Sequence, residues 1–396
     1  MIPLGLSAHD HHAYTEQLKA PHGIRIRAQI RNLDGHVLDS LQGLALDGQV
    51  DVDMTTDARR SLSLSVVDPH HTLDIDEDLL YLNRMIHVTY GIYVQAGPGW
   101  VDVPVFFGPI TKADRDGSTL SIEAQSKELL ARSVAWKPRT FRKGQNIVEV
   151  IRVLMRDLAG ESGHAMDLPS LPYRLKHDVS LARNTHIWGL AWRLARDVDR
   201  DLFYDGRGHL VMRKRRSNVV FTFSDGDGLV LSDPQVSTHV EDMRNAVEVS
   251  GGTPRTPRGN ESGHKPQGPF ISERAPDVVV VAPRAHPLSP WNLGRHGSPR
   301  YLLEVVKNEH IRTKKTARRI AHNHLDRRLK EAIDVSLDCM PVPHLDPYDE
   351  IRVNTDSFSS RFVLRRWSLP LKAKSGQAMT IGYNRNVSVR LRRNHK

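Results

Sequence analysis

Apolar and polar residues alternate with a period of two in two distant stretches of this chain. The first stretch contains the alternating run Ser61–Pro69, then a polar connector, then the alternating run Met85–Val88. The second stretch repeats this order as Asp334–Pro341, another polar connector and Glu350–Val353. Such alternation is typical of a strand with one buried face, and a proline ends ladder pairing. The pattern therefore predicts the same β-unit twice.

The likeness between the two stretches extends beyond these runs. Phe106–Ile110 followed by Thr119–Ile122 has a counterpart in Phe362–Trp367 followed by Met379–Ile381. Solenoid proteins also contain repeats, but they need several copies at a short, constant period. The two copies lie far apart here, so duplicated β-barrels fit the pattern better. We expect the two units to share one topology.

Between the two units the apolar period changes from that of a strand to that of a helix. Apolar residues at helical spacing predict helices over Lys127–Arg132 and Gly144–Ala159, and a third helix that begins at Asn184 or Thr185. Leu202–Met212 then predicts a β-hairpin. The middle of the chain is therefore predicted to be a small α/β domain.

Three further segments complete the predicted organisation. Residues 1–22 hold few apolar residues and predict an extended arm. Gly251–Pro276 is crowded with glycine and proline, and it predicts a long, poorly ordered surface loop outside both barrels. Thr313–Ala332 predicts a helix with a basic outer face, which leads the chain into the second β-unit.

Composition limits the class of protein. Apolar residues make up 39% of the 396 residues and aromatic residues 6%, which indicates small domains or domains that pack against partners. The single cysteine, Cys339, lies on the apolar face of a predicted strand, so an intramolecular disulfide and a thiolate zinc site are excluded. No secretion signal and no membrane-spanning segment is predicted. We expect folding in a reducing cytoplasm.

The net charge is +10, and the excess is concentrated in Arg312–Lys330 and in the tail Arg385–Lys396. A basic patch favours a nucleic-acid or membrane partner, although a run of charges is more often a solvated helix face. Arg312–Lys330 also lacks aromatic residues on which bases could stack. A nucleic-acid-binding protein that uses the basic helix and tail is therefore the alternative interpretation.

Candidate catalytic and metal sites are weak. The chain lacks a nucleophile elbow, a His-Glu-x-x-His motif and a P-loop. His9–His12 has no partner ligands at defined spacing, Asp225–Gly228 lacks the later acidic ligand of a calcium loop, and His322 and His324 face different ways on a helix. Four carboxylates share a polar connector that would be solvated: Asp74, Asp76, Glu77 and Asp78. We therefore predict no catalytic residue, no cofactor and no metal, and a cell-wall-active enzyme is the least favoured alternative.

Six segments of the chain follow one another in a characteristic order. They are Arg60–Pro69, Phe107–Ile110, Ser126–Leu130, Trp188–Leu210, Ala317–Leu329 and Pro341–Asp349. Their order resembles that of the minor tail proteins of long-tailed bacteriophages, especially those of actinobacterial hosts. The resemblance covers about residues 23–385.

The resemblance implies a baseplate or tail-tip hub, similar to the hub proteins of contractile tails. In that family each chain carries two related β-barrels, and three chains make a ring of six barrels that matches the sixfold tail tube. The implied partners are two further copies of the chain, the distal tail protein, the tape measure protein, tip fibre or spike proteins, and phage DNA in transit. The implied location is the tail tip of the virion, after synthesis in the host cytoplasm.

The predicted fold class is α+β, mainly β, with two related tail-tube-like barrels. We predict an arm over 1–22, a first barrel over 23–130, an inserted α/β domain over 131–220, a second barrel formed by 221–252 with 334–396, and a second insertion over 253–333. The predicted function is structural and not enzymatic. A trimeric hub would adapt the sixfold tube to the threefold tip and form part of the DNA exit channel.

Overall fold

The computed structural model describes residues 1–41, 45–70, 84–214, 218–238, 243–251, 278–308, 311, 313–331, 333–355, 358–372 and 377–383. The chain divides into two compact units. The first unit comprises Met1–Val236 with Val335–Lys396, and the second unit comprises Ser237–Asp334. The finer domain boundaries predicted from the sequence stay predictions.

The helices and strands have the following bounds. The α-helices are α1 (Ala8–Leu18), α2 (Glu128–Ala131), α3 (Ile147–Val153), α4 (Ile187–Asp197), α5 (Pro290–Leu293) and α6 (Lys314–Glu331). A π-helical turn (Leu154–Leu158) continues α3, and a short 3-10 turn covers Gly163–Ala165. The strands are β1 (Ile24–Arg31), β2 (Val37–Ser40), β3 (Ala45–Asp53), β4 (Arg60–Val67), β5 (Met85–Val94), β6 (Gly99–Asp116), β7 (Thr119–Gln125), β8 (Arg139–Phe141), β9 (Met166–Asp167), β10 (Val179–Leu181), β11 (Asp201–Tyr204), β12 (Leu210–Arg213), β13 (Val219–Ser224), β14 (Gln235–Thr238), β15 (Ala246–Gly251), β16 (Val278–Val281), β17 (Leu303–Asn308), β18 (Ile333–Cys339), β19 (Glu350–Thr355), β20 (Phe358–Pro370) and β21 (Gln377–Tyr383).

One large sheet has the strand order β14-β18-β21-β20-β3-β4-β7-β6-β5-β1-β2, and β19 pairs with both β20 and β13. The sheet therefore consists of two halves with one strand order: β3-β4-β7-β6-β5-β1 and β14-β18-β21-β20-β19-β13. One difference is that β1 runs antiparallel to β5, whereas β13 runs parallel to β19. The mainly β fold class is confirmed, and the two halves share their strand order. The predicted superposition of the two units stays a prediction. No closed barrel is found among the described strands, so the two barrels stay a prediction.

The two halves also share an irregularity at the same place. The pairing of β6 with β7 shifts by one residue between Ile110 and Lys112. The pairing of β20 with β21 shifts between Leu364 and Arg366. A β-bulge of this kind bends the strand and changes where its side chains point. The matching bulges make β6 and β20 counterparts residue by residue.

The two halves join because β20 pairs antiparallel with β3, from Arg366 opposite Asp53 to Pro370 opposite Gln49. The alternation in these strands places one apolar side of each strand in a common core. The buried side chains at this joint are Val50, Val52, Trp367, Leu369 and Leu371. Two β-units therefore share one continuous hydrophobic core.

The middle α/β domain contains a second repeat that the sequence analysis missed. β8 and β10 pair antiparallel, with Arg139 opposite Leu181, and a turn leads from each strand into a helix, α3 or α4. Gly144 and Asn184, forty positions apart, both adopt a left-handed backbone, with φ of 88° and 63°. The domain thus contains two strand-turn-helix units whose strands pair antiparallel and whose helices share one core.

Two predicted helix boundaries in this domain are wrong. The third helix begins at Ile187 and has His186 as its N-cap, not Asn184 or Thr185. Asn184 is part of the left-handed turn, and the Thr185 hydroxyl donates to the Ala182 carbonyl at 2.6 Å instead of capping the helix. The helix predicted over residues 144–159 begins only at Ile147, because the turn takes up the residues before it.

The predicted extended arm at the start of the chain is also wrong. α1 occupies Ala8–Leu18, and the Ser7 side chain caps it by accepting from the Asp10 backbone N–H at 3.1 Å. Tyr14 and Leu18 are buried, one helical turn apart. Two apolar residues at that spacing are enough to dock a helix, although they leave little trace in a polar sequence.

The second unit contains a three-stranded sheet with the order β16-β15-β17 and the helix α6. The predicted helix is confirmed over Lys314–Glu331. Its apolar side packs on the sheet through buried residues that include Ala317, Ile320, Leu325 and Leu329. Most of the predicted loop Gly251–Pro276 lies outside the described residues. No helix in the described part of the chain is long and apolar enough to cross a membrane.

The left-handed turn before α3 predicts opposite effects on the free energy of unfolding when Gly144 and Gly189 are each replaced by alanine. Gly144→Ala is expected to lower the free energy of unfolding by about 1–2 kcal/mol, because a Cβ disfavours the left-handed backbone. Gly189→Ala, inside α4 with open space around the new methyl group, is expected to raise it by up to about 1 kcal/mol. Urea denaturation of both variants measures the two effects, and a stabilising Gly144→Ala would contradict the turn geometry.

Candidate functional site

The histidines and carboxylates that the sequence singled out do not come together as a metal site in the described part of the chain. No group of three or more His, Cys, Asp or Glu residues there could hold a metal ion. His9–His12 lies on α1. Asp225–Gly228 forms a turn in which Gly226 and Gly228 have φ of 83° and 69°, which agrees with the β-turn interpretation. Asp74, Asp76, Glu77 and Asp78 lie outside the described residues.

Two further candidates from the sequence, His324 and Cys339, have contacts typical of structural residues. His324 Nδ1 lies 3.9 Å from Glu304 Oε1, and Arg328 Nε donates to Glu304 Oε2 at 2.9 Å. Cys339 is fully buried, as predicted, and burial raises the pKa of its thiol. Since the thiolate is the reactive form, this cysteine is an inert core residue.

The strongest cluster of buried charge lies where three parts of the first unit meet. Arg60 begins β4, Arg213 ends β12, and Asp346 lies in the connector between β18 and β19. Arg60 Nη2 is 2.7 Å from Asp346 Oδ1, and Arg213 Nη2 contacts Asp346 Oδ2. Arg60 is 2% exposed and Asp346 is 0% exposed. These three residues are named the central junction.

Aromatic rings and a carbonyl complete the surroundings of the two guanidinium groups. Arg60 Nη1 donates to the Val105 carbonyl at 3.3 Å, and its guanidinium carbon lies 5.7 Å from the centre of the Trp367 ring. The Arg213 guanidinium carbon lies 4.9 Å from the centre of the Phe203 ring. Such cation–π contacts stabilise a cation that has lost its water. The central junction therefore links both β-halves to the α/β domain.

The electrostatics of the central junction keep Asp346 ionised. Burial by itself would raise the pKa of Asp346, but the positive charges of Arg213 and Arg60 outweigh it and hold the pKa below its ordinary value. A buried ion pair of this kind is costly to assemble, yet removing one partner is more costly still. We infer that the central junction fixes the arrangement of the two β-halves and the α/β domain.

A second buried polar cluster connects β7 and α2 to the α/β domain. Lys127 Nζ is 2.6 Å from Glu161 Oε1, and the Tyr204 hydroxyl donates to Glu161 Oε2 at 2.8 Å. Lys127 Nζ also lies 5.8 Å from the centre of the Phe107 ring on β6. Lysine, glutamate and tyrosine could serve as acid and base, but Lys127 and Glu161 are only 7% and 8% exposed. We interpret the cluster as a joint between domains.

Glu128 lies beside this joint and has a different environment. Its Oε1 accepts from the Tyr204 backbone N–H at 3.0 Å, whereas Oε2 has no hydrogen-bond partner among the described residues. Burial raises the pKa of this carboxyl. A perturbed carboxyl can mark a functional site, but structural joints perturb pKa values in the same way.

One open groove of about 680 Å³ lies beside the β3–β4 turn. Its carboxylates already have partners: Asp57 Oδ2 is 2.7 Å from Arg132 Nη2, and Asp53 Oδ1 accepts from the Thr55 backbone N–H at 2.7 Å. The Ser368 hydroxyl donates to Asp51. The groove therefore offers turn and strand contacts, not a set of free acidic ligands.

His344 occupies a buried aromatic site between α1 and the second β-half. Its Nδ1 lies 3.1 Å from the Tyr14 hydroxyl, and its ring centre lies 5.8 Å from that of Phe221. Nε2 has no partner among the described residues. Burial lowers the pKa of His344 to about 3, so the ring is neutral in the folded protein.

His344 predicts a loss of stability between pH 7 and pH 5. The His344 side chain takes up a proton near pH 6.5 in the unfolded chain but not in the folded protein. The free energy of unfolding therefore decreases as the pH is lowered through this window, down to about pH 3. The share from His344 between pH 7 and 5 is about 2 kcal/mol. Urea denaturation across this range should show a shallower pH dependence for His344→Gln, and an unchanged one for the exposed control His9→Gln. Equal slopes for wild type and His344→Gln would contradict the assignment.

The sequence analysis missed all the charged residues of these joints. Asp346 lies in a segment that reads as a polar connector, yet every residue from Pro341 to Glu350 is buried. The available signal was the run of three prolines in that connector, which favours an ordered path over a flexible one. Arg60 and Arg213 carried no local signal, because their partner is distant in sequence.

Comparison with known proteins identifies the fold. No protein-family model and no curated protein matches the chain. The 43 kDa tail protein of prophage MuSo2 from Shewanella oneidensis has a similar structure, with a TM-score of 0.61, 12% identity, and coverage of 91% of this chain and 98% of that chain. The tail protein from Neisseria meningitidis MC58 has a TM-score of 0.60 and 12% identity, and covers 91% and 96%.

A third similar structure comes from a different bacterial group. The prophage tail protein gp18 from Listeria monocytogenes EGD-e has a TM-score of 0.52 and 11% identity, with coverage of 91% of this chain and 95% of that chain. All three structures match this chain over nearly their whole length. At these identities the likeness concerns the fold, and the chain has the fold of prophage tail proteins.

Proposed function

We propose that this protein is a structural hub at the tip of a phage-type tail, where three copies form a ring around the tail axis. The observation that carries the proposal is the pair of β-halves with one strand order, fused into a single sheet. Three such chains present six similar β-units, which matches a sixfold tube, while the ring keeps threefold symmetry. A head-to-tail contact between copies forms a closed ring only if the rotation from one copy to the next returns to the first copy; otherwise it forms an open filament.

The proposed partners follow from that position. The ring would bind the distal tail protein on the tube side and a tip fibre or spike on the other, with the tape measure protein and DNA passing through the centre. The second unit offers one surface for such contacts. On the face of its sheet opposite α6, Val279, Leu303 and Val305 are 57%, 45% and 49% exposed, and Glu248 lies between the two valines. These are the side chains that a partner would cover.

Cryo-electron microscopy of tails that contain this chain tests the proposal. We expect three copies in a closed ring at the tip, with a central opening. Six copies, or a single off-axis copy, would contradict the hub assignment. The resemblance to actinobacterial tail proteins adds an expectation that the tail is long and non-contractile, which the same images would show.

Nucleic-acid binding is a second candidate function because of the start of α6. Lys314, Lys315, Arg318 and Arg319 are exposed there, and no acidic residue lies in the first turn. Positive side chains at a helix N-terminus are repelled by the positive end of the helix dipole. They therefore lower the stability of the helix unless a negatively charged partner binds there. A salt titration of binding to duplex DNA tests this function, since phosphate contacts give a steep salt dependence. A flat titration would exclude it.

A further inference from the structure

The sheet of the second unit carries a single charge at the centre of one of its faces. Glu248 lies on β15, the middle strand, and it pairs with Val279 of β16 on one side and with Val305 of β17 on the other. Val247, one position before Glu248, is buried in the core that α6 covers. Because side chains alternate between the two faces of a sheet, Glu248 and its two valine neighbours point away from α6. We name this side of the sheet the open face.

The next row of the open face is apolar throughout. Ala246 pairs with Val281 on one side and with Leu303 on the other. Leu303, like Val279 and Val305, is an exposed large apolar residue. Glu248 is therefore the one charged side chain among the six residues of these two rows.

The two faces of the sheet treat their carboxylates differently. On the side of α6, Arg328 of the helix binds both oxygens of Glu304, at 2.9 and 3.0 Å. On the open face, the hydroxyl of Ser250 lies 3.5 Å from Glu248 Oε1. In the described part of the chain, Glu248 takes part in no ion pair. The charge of Glu248 is thus balanced by solvent, and a partner that displaces this solvent must replace it.

Two exposed aromatic rings extend the open face beyond the start of β17. Exposure alternates along the chain from Tyr301 to Lys307, which puts Tyr301 on the same side as Leu303. The Trp291 ring lies 6.5 Å from that of Tyr301, and the Arg284 guanidinium carbon lies 4.9 Å from the centre of the Trp291 ring. Tryptophan, tyrosine and arginine are enriched where proteins bind one another. The surroundings of Glu248 therefore have the composition of a protein contact.

The chemistry of Glu248 restricts what can cover the open face. A protein that covers Val279, Leu303 and Val305 also removes water from the carboxylate between them. A carboxylate that loses its water without gaining a counter-ion is strongly destabilised. A protein that covers this face must therefore place a positive side chain opposite Glu248, with apolar side chains around it.

The same reasoning excludes a second copy of this chain as the occupant. Sheets pack face to face, and a twofold contact brings the same patch of both copies together. Since Glu248 lies at the centre of its face, the two Glu248 carboxylates would meet without a cation, and like charges oppose such a contact. A charge within an apolar sheet surface also protects a protein against association with wrong partners.

We propose that the open face binds a partner protein whose apolar surface carries one arginine or lysine opposite Glu248. Glu248 selects this partner, because it disfavours the pairing of two copies and the binding of apolar surfaces that lack a cation. The inference deepens the proposed function, since it rests on this face being a contact surface in the tail and adds the chemistry of the partner.

A charge-swapped copy of the chain serves as the test partner. Glu248→Arg presents the same apolar face with one arginine at its centre. We expect wild type and Glu248→Arg to form mixed pairs, with an association constant at least about tenfold above that of either chain alone. Sedimentation velocity over a range of concentrations, with a fluorescent label on one chain, separates mixed pairs from like pairs.

Three further variants show whether the association uses the open face. Glu123→Arg is the matched control, because Glu123 also lies between two strands but has the polar neighbours Ser63 and Lys112. Mixing it with wild type is expected to leave the association unchanged. Glu248→Leu removes the charge and should associate with itself, and adding Val305→Asp to it should abolish this association.

Two results would overturn the assignment. A mixture that associates no more strongly than either chain alone would reject the selection by charge. Self-association of wild type through the open face, as strong as that of Glu248→Leu, would make a second copy the occupant.

The ring of three is judged separately. A ring would change the starting mass of every sample equally, so a negative mixing result leaves the ring untouched. Images of the tail that show six copies would reject the ring and leave the pairing of wild type with Glu248→Arg unaffected.

Discussion

Asp346→Asn is expected to lower the free energy of unfolding by about 3–5 kcal/mol. The asparagine side chain has nearly the same shape, but it removes the negative charge that Arg60 and Arg213 share. Arg60 is 2% exposed, so its charge would stay buried without compensation. Urea denaturation followed by tryptophan fluorescence measures the loss, and Trp367 beside Arg60 reports on this region.

Two controls separate the ion pairs from a general effect of the substitution. Asp57→Asn removes an ion pair with Arg132 whose aspartate side chain is 74% exposed, and we expect no measurable loss. Replacing Arg60 and Arg213 with Met and Asp346 with Leu removes all three charges together, and this variant should retain more stability than Asp346→Asn. If Asp346→Asn were as stable as wild type, this would show that the central junction is not formed.

The pH dependence of the same variant gives an independent check. The pKa of Asp346 is lowered in the folded protein, so the carboxylate stabilises the fold above its unfolded pKa of about 3.9. This contribution is lost as the pH falls through the folded pKa. The difference in stability between wild type and Asp346→Asn should therefore shrink below about pH 4. A difference that stays constant from pH 7 to pH 3 would contradict the role of the charge.

Trp367→Ala is expected to lower the free energy of unfolding by about 3–5 kcal/mol. Trp367 is 5% exposed in the joint between the two β-halves, where it lies opposite Val52 of β3. Truncation leaves a cavity at this joint and removes the ring that faces the Arg60 guanidinium. Urea denaturation by circular dichroism measures the loss without depending on tryptophan fluorescence.

Trp136→Ala is the matched control, because this tryptophan is 68% exposed in the α/β domain. We expect a change within about 0.5 kcal/mol. If both tryptophan variants had equal stability, the two β-halves would not share the core described here.

The large-scale organisation is readable in the sequence because its signals are local. The alternation before Pro69 and before Pro341 predicts the two β-units correctly, since the period of a strand depends on a few consecutive residues. The same reasoning finds α6 from its apolar side. It fails for α1, whose only buried residues are Tyr14 and Leu18, with Ala13 partly buried against the same core.

The repeat within the α/β domain is not readable in this way. Its two units share a left-handed turn and a helix start, but a glycine occupies the turn in one unit and Asn184 in the other. The helix positions vary as well, with Val148 in one unit and Trp188 in the other. Many apolar residues satisfy the same core position when the total volume is kept, so the structural repeat leaves little identity in sequence.

The sequence by itself determined the alternating strands before Pro69 and Pro341, the helix α6 and the buried state of Cys339. Only the tertiary structure decided how the parts are joined, because the joining residues have no local signature. Asp346 lies in a polar connector and is bound by Arg60, which is 286 positions away in the chain. A charge is buried stably only when its partner is present, and that partner is known only once the chain has folded.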